Sequence, residues 1–129
     1  MALKITLKPN ERIIIGGAVV TNTTKKGCTL TIENDVPVLR RKDIMSVREA
    51  DSPYRRLYFA IQLMYIDEAN ASIYHGSYWK IVMELIAAAP TLIGFIDRIN
   101  ENIISGKYYQ ALKLTAELMN DEKESIGHV

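Results

Sequence analysis

Leu3, Ile5 and Leu7 alternate with Lys4, Thr6 and Lys8. Apolar residues at every second position mark a strand with one buried face, because successive side chains point to opposite sides. Pro9-Asn10 turns the chain. Residues 12–15 are a β-branched run closed by Gly16-Gly17, a pair read as a bulge or turn. Residues 18–21 form a short third strand. Residues 22–27, NTTKKG, are polar and end in glycine, the composition of a hairpin tip. Residues 28–33 alternate again, with Cys28, Leu30 and Ile32 on one face. After Asn34-Asp35 turns the chain, residues 36–39 read as a fifth strand. Its Pro37 suggests a sheet edge, since proline has no N–H to donate. Short strands joined by tight turns predict a small antiparallel sheet, which needs helices or a second copy to cover it.

Beyond residue 44 the apolar period lengthens to that of a helix. Ser46-Val47-Arg48-Glu49 fits the capping box, in which serine oxygen and glutamate carboxylate satisfy orphan N–H groups at a helix start. Ser52-Pro53 is a second start signal, an N-cap followed by proline at the first helical position. Tyr54, Leu57, Tyr58, Ile61, Met64 and Tyr65 recur at three- and four-residue spacing, giving an amphipathic helix to about Tyr65. A loop over residues 67–70 leads to a helix from about Ile73 to Ala89. Tyr74, Tyr78, Ile81, Val82, Leu85 and Ile86 share one of its faces. Pro90 ends it and opens another, faced by Leu92, Ile96, Ile99 and Ile103, with Gly106 suited to the C-cap. The last helix spans residues 108–120 with Leu112, Ala116 and Met119 inward, and polar residues 121–129 are expected to fray. The fold class is therefore α+β. A small antiparallel sheet of about five strands occupies residues 1–44. A helical lobe of four or five helices follows in residues 45–129, one compact unit with the first.

Composition narrows the function classes. A chain of 129 residues that is 48% hydrophobic has material for a real core. Its one cysteine, Cys28, excludes an internal disulfide and reads as a buried, inert thiol in a reducing cytoplasm. The first residues have no apolar signal-peptide core, and the longest apolar-rich stretch, residues 81–96, is interrupted by Glu84 and Pro90. A cytoplasmic protein with no membrane partner is expected. The sequence has no Walker loop, dinucleotide fingerprint, HExxH or CxxC. His75 and His128 lack metal-ligand spacing, and Glu11, Asp43 and Asp51 form no catalytic pattern. Glu84 is expected to face solvent or pair with Lys80. Neither an enzyme nor a cofactor is expected.

Charge is more informative. The net +1 conceals a basic front half and an acidic back half: residues 1–56 hold 11 Lys+Arg against 6 Asp+Glu, residues 57–129 hold 5 against 9. Arg40, Arg41 and Lys42 follow a strand, where alternation lets at most two of them share a surface. Arg55 and Arg56 lie in the first turn of a helix, where cations oppose the macrodipole, and this points to another use for them. Two readings stand: solvated arginines paired with Glu49 or Asp51, or a site for RNA or an acidic protein. The seven tyrosines, Tyr54, Tyr58, Tyr65, Tyr74, Tyr78, Tyr108 and Tyr109, lie in the acidic half and serve either the core or a protein-binding surface.

The segments LKPNER (7–12), IGGAV (15–19), IEN (32–34), VLRRKDI (38–44), ADSP (50–53), RRLYF (55–59), QL (62–63) and GKYYQAL (106–112) resemble the FlbT family, small cytoplasmic regulators of flagellum biogenesis. Family members have Asn-Gly where this chain has Asn22-Thr23, a departure expected to affect the turn only. The resemblance implies binding to the 5′ untranslated region of flagellin messenger RNA, control of its translation or decay, and a functional link with FlaF, a small flagellin-regulating protein. A fainter resemblance over residues 3–44 is to the carbon-storage regulator CsrA, an RNA-binding dimer of five-stranded subunits that exchange strands. It rests on Ile5-Thr6, Lys8, Asn10-Glu11, Ile13, Ile15-Gly16 and Arg41-Lys42-Asp43-Ile44, and implies Thr6, Lys8 and Arg41 as RNA-contacting positions. Leu7 stands where that family usually has Arg.

The expected function is post-transcriptional regulation of flagellin through its mRNA leader. The expected RNA-binding residues are Arg41, with Arg40, Lys8, Thr6 and Lys42 beside it, and Arg55 and Arg56 in second rank. The alternative is a protein–protein adaptor in flagellum assembly whose helical lobe binds FlaF or flagellin. A homo-oligomer, most simply a dimer through residues 1–44, is expected from the exposed strand edge.

Overall fold

A computed structural model describes residues 2–127. Strands β1 (Leu3–Leu7), β2 (Arg12–Ile15), β3 (Ala18–Thr21), β4 (Cys28–Ile32) and β5 (Val38–Arg40) precede every helix. Two 3-10 turns, Arg41–Asp43 and Val47–Glu49, lead to α1 (Pro53–Ile66), α2 (Ala71–Ala88), α3 (Ile93–Ile104) and α4 (Tyr108–Gly127). The architecture is α+β, and the chain divides into a β unit ending at Ile44 and a helical unit beginning at Met45.

The five strands divide between two small sheets. β1 pairs with β4, and β2 lies between β3 and β5, all antiparallel. Gly16 and Gly17 form the tight turn of the β2–β3 hairpin, with φ of 55° and 87°. A two-residue turn with both φ positive matches the twist of the strands and suits glycine. Residues 22–27 form no hairpin tip. They carry the chain from β3 in one sheet to β4 in the other, because each of those strands already has another partner. Pro37 precedes β5 at the edge of the three-stranded sheet, and its carbonyl accepts from the Gly16 N–H. Ile5, Leu7 and Ile13 form the buried cluster of this unit, packed by Ile15, Val20, Cys28, Leu30, Ile32 and Val38.

Asn22 organises the crossover. It is 5% exposed, and its Nδ2 donates to the carbonyls of Leu7 (3.1 Å), Lys8 (3.2 Å) and Lys26 (2.9 Å). Its Oδ1 accepts from the Thr24 N–H (3.0 Å) and hydroxyl (2.7 Å). Its backbone accepts from Asn10 N and donates to Glu11 O. One side chain thus satisfies the end of β1 and the crossing loop, where a buried polar group without partners would be costly.

In the helical unit the local signals act as read. Ser46 and Glu49 form the capping box: Glu49 N donates to Ser46 Oγ and Ser46 N to Glu49 Oε1. It caps a 3-10 turn, not an α-helix. Ser52 caps α1, with Pro53 in the first turn. Gly106, at φ 74°, closes α3, where the N–H groups of Gly106 and Lys107 bond the carbonyls of Ile103 and Asn102. Leu57, Ile61 and Met64 from α1, Tyr78 and Val82 from α2, Ile96 and Ile99 from α3 and Leu112 from α4 are fully buried. The inner face of α4 is Ala111, Leu112, Thr115 and Leu118; Ala116 and Met119 are only half-buried beside it. α4 continues to Gly127, past the expected fraying point at residue 121. Gln62, 3% exposed, grips the Met45 backbone in both directions, Met45 N to Oε1 at 2.7 Å and Nε2 to Met45 O at 2.9 Å.

Asn22→Ala is expected to lower unfolding stability by about 1–3 kcal/mol, and Asn22→Asp by at least as much, because a carboxylate has no N–H to donate and would face three carbonyls. A urea midpoint unchanged in either variant would refute the role of this side chain. Hydrogen bonds from the Ser46 backbone and side chain hold the Glu49 carboxyl below the ordinary carboxylate range. A carboxyl depressed by folding adds stability that is present above its unfolded pKa and is lost as pH falls through its folded pKa. Glu49→Gln should therefore destabilise at neutral pH and flatten the acid limb of the midpoint-against-pH curve. Parallel acid limbs in the two proteins would contradict this.

Candidate nucleic-acid interface

The β unit is basic. Residues 1–44 hold 8 Lys+Arg against 4 Asp+Glu, and all eight basic side chains, Lys4, Lys8, Arg12, Lys25, Lys26, Arg40, Arg41 and Lys42, are exposed. In β1, Ile5 and Leu7 point inward, so Lys4 and Thr6 point outward, with Lys8 next in the same alternation. Their cross-strand partners on β4 are Thr31, opposite Lys4, and Thr29, opposite Thr6, both exposed. The outer face of the two-stranded sheet therefore carries lysine ammonium groups among three threonine hydroxyls. Ammonium groups neutralise phosphates, while hydroxyls and backbone N–H groups position them.

Arg40 lies in the β2–β5 register opposite Ile13, a core residue. Its guanidinium reaches β1 and donates to the Thr6 carbonyl at 3.1 Å. Two expected site residues, Arg40 and Thr6, are thus brought together, and Arg40 also ties one sheet to the other. Arg41 and Lys42 do not continue the strand. They enter the 3-10 turn Arg41–Asp43, so the alternation that allowed only two of the three basic residues on one surface does not apply. Both are exposed.

Arg55 and Arg56 belong to the helical unit. Arg55 pairs with Asp51 at 3.0 Å, and Arg56 approaches Glu84 at 4.0 Å. Glu84 therefore meets Arg56 rather than Lys80. Half-exposed pairs of this kind contribute little to stability, but they give both arginines an anionic neighbour within their own unit. Of the tyrosines, Tyr58 and Tyr78 are core, and Tyr78 donates its hydroxyl to Asn100 Oδ1. Burial pushes the Tyr78 phenol far up. Tyr54, Tyr65, Tyr74 and Tyr108 are half-buried. Tyr74 bonds Asp67 at 2.9 Å, and Tyr109 stacks at a tilt on Tyr65 at 5.8 Å. His75 is half-buried on α2, and His128 lies outside the described residues. Among the described residues no group of three His, Cys, Asp or Glu is placed to hold a metal, and no helix is long and apolar enough to cross a membrane.

Sequence reasoning passed over Lys4, Thr29 and Thr31. Lys4 was legible, since it shares the alternation of Thr6 and Lys8. Thr29 and Thr31 were not, because alternation assigns a face to each residue of β4 but does not say that β1 lies beside it.

The β unit thus presents a basic, hydroxyl-rich sheet face. The family model described as "Flagellar protein FlbT" matches residues 3–126. A relative in Bradyrhizobium diazoefficiens, "Probable flagellum biosynthesis repressor protein FlbT 1", is 40% identical over 127 residues, covering 98% of this chain and 86% of its own. A second, in a Caulobacter species, "Probable flagellum biosynthesis repressor protein FlbT", is 37% identical and covers 100% of this chain and 99% of its own. The "Flagellum biosynthesis repressor protein FlbT" of Caulobacter vibrioides is 34% identical and covers 100% and 92%. The chain belongs to the FlbT family. No solved structure matches it.

Arg40→Ala is expected to lower the stability of the RNA-free protein by about 0.5–1.5 kcal/mol, the worth of one intramolecular hydrogen bond. Arg41→Ala, at an exposed turn, should stay within about 0.5 kcal/mol of the parent. Thermal melts of the two variants side by side test this, and an equal loss in both would remove the structural distinction between the arginines.

Proposed function

We propose that this chain regulates flagellum biosynthesis in the cytoplasm by binding the 5′ untranslated region of flagellin messenger RNA through its β unit. The observation that carries this reading is the exposure of all eight Lys and Arg side chains of the β unit, with Lys4, Thr6, Lys8, Thr29 and Thr31 on one sheet face. Family membership supplies the flagellar context, and the relatives' description as repressors supplies the sign of regulation. In this reading Lys4 and Lys8 track the phosphate backbone and the threonine hydroxyls set its register. Arg41 gives a planar fork that stacks on a base or grips a phosphate in two places, which lysine cannot copy. Lys42 extends the track, and Arg40 contributes from its place across Thr6. Arg55 and Arg56, each with an anionic neighbour within the helical unit, are not assigned to RNA. The bound protein regulates flagellin by occupying the leader, altering translation or decay of the message.

Purified protein should retard its own flagellin leader in a gel shift more strongly than a scrambled leader, with affinity falling steeply as salt rises. Arg41→Ala should cost about 1–3 kcal/mol of RNA affinity, Arg41→Lys should recover part of it, and Lys4→Ala should reduce the salt slope by about 1. If stably folded Arg41→Ala binds the leader as tightly as the parent, the assigned site is wrong. If the parent leaves RNA unshifted, the chain acts as an adaptor whose helical unit binds FlaF or flagellin.

A further inference from the structure

α2 buries one side, Ala71, Tyr78, Val82 and Leu85, in the helical core. Its other side is also apolar. Ile73 is 70% exposed, Met83 67% and Trp79 40%, and Ala87 and Ala88 are exposed beside them. Isolated exposed apolar residues are ordinary, but a row of them along one helix marks an interaction surface. Ile73, Gly76, Lys80, Met83 and Ala87 follow one another at alternating three- and four-residue steps, and every one is exposed. That spacing is the seam of a two-helix coiled coil, and it lies on the side that the chain's own core leaves open.

We propose that this face of α2 packs antiparallel against α2 of a second copy of the same chain. The charge pattern selects that occupant. The seam has one cation, Lys80, and one anion beside it, Glu84. A two-fold axis crossing the helix between residues 81 and 82 sets Lys80 beside Met83 of the second copy, with its ammonium one step from Glu84 of that copy, and the reverse contact forms by symmetry. An isologous interface requires this self-complementarity. The same axis sets Gly76 opposite Ala87 of the second copy. Nothing lies within 4 Å of where a Gly76 Cβ would stand, so the backbones have room to approach closely. The lysine stem covers Met83 while its charge stays at the rim. Glu84, already 4.0 Å from Arg56, then lies between two cations. This surface differs from the strand edge that the sequence suggested for a dimer, and it does not depend on RNA binding.

Sedimentation equilibrium of the full chain across the micromolar range tests the proposal. The parent should weigh twice the 14.6 kDa chain mass. Met83→Glu should be monomeric with an unchanged circular dichroism spectrum, since Met83 is largely exposed and lies outside the buried core. Lys80→Glu and Glu84→Lys should each weaken self-association about tenfold or more. The double reversal should restore it, because the opposite charges again meet across the axis. A parent that stays monomeric, including one that instead takes another protein on this face, overturns the proposal. So does a dimer indifferent to Met83→Glu, whose interface must then lie elsewhere, or a dimer that the double reversal fails to restore.

Discussion

The β unit depends on one buried amide. Asn22 is surrounded by three carbonyls and the Thr24 N–H and hydroxyl, and its own backbone bonds Asn10 and Glu11. No other side chain of similar size both donates twice and accepts, so the site is specific for Asn at that shape. The bonds matter because the strands do not pair in sequence order. β1 must wait for β4, and β2 takes both β3 and β5, so the chain leaves one sheet and enters the other between Thr21 and Cys28. Asn22 fixes where that crossing begins. With the crossing held, Leu7 lies opposite Cys28, and the ladder back to Leu3 follows in register.

The helical unit uses the same device at its entry. The Gln62 amide, buried on α1, pairs with the Met45 backbone as a neighbouring strand would. The backbone groups of Met45, brought out of water, are satisfied by a side chain because no secondary structure is present to do it. The capping box at Ser46 and Glu49 and the cap at Ser52 then satisfy the turns that follow. Polar side chains therefore set both junctions, while apolar packing fills the space between helices.

Charge divides with the two units. The β unit carries a net +4 and the helical unit a net −3, from 8 basic against 4 acidic residues and 8 against 11. The two units therefore carry electrostatic potentials of opposite sign. Arg40 illustrates how one residue serves structure and surface together. Its stem runs from the core row of the three-stranded sheet, and its guanidinium ends on the β1 backbone beside Thr6. Arg41, one residue later, has left the strand and carries no such bond to β1.

What the sequence determined by itself was local. Alternation located the first and fourth strands, a β-branched run and the turns between segments located the other three, Ser52-Pro53 and Pro90 located helix starts, and Gly106 located a helix end, because each signal acts through its own backbone or its nearest turn. The exposed face of β1 was equally legible from Lys4, Thr6 and Lys8. Tertiary structure decided what alternation cannot express. A strand's pattern names its buried face but not its neighbour, so NTTKKG read as a hairpin tip although β3 and β4 never pair. The inner face of α4 came to rest on Thr115 and Leu118 rather than on Ala116 and Met119, because the neighbouring helices set its rotation. Arg40, Arg55, Arg56 and Glu84 looked alike as charges on a chain. The Arg55–Asp51 pair was among the readings the sequence offered, at i and i+4; only the folded structure gave Arg40, Arg56 and Glu84 their partners, since a long charged side chain is placed by what lies across from it in space.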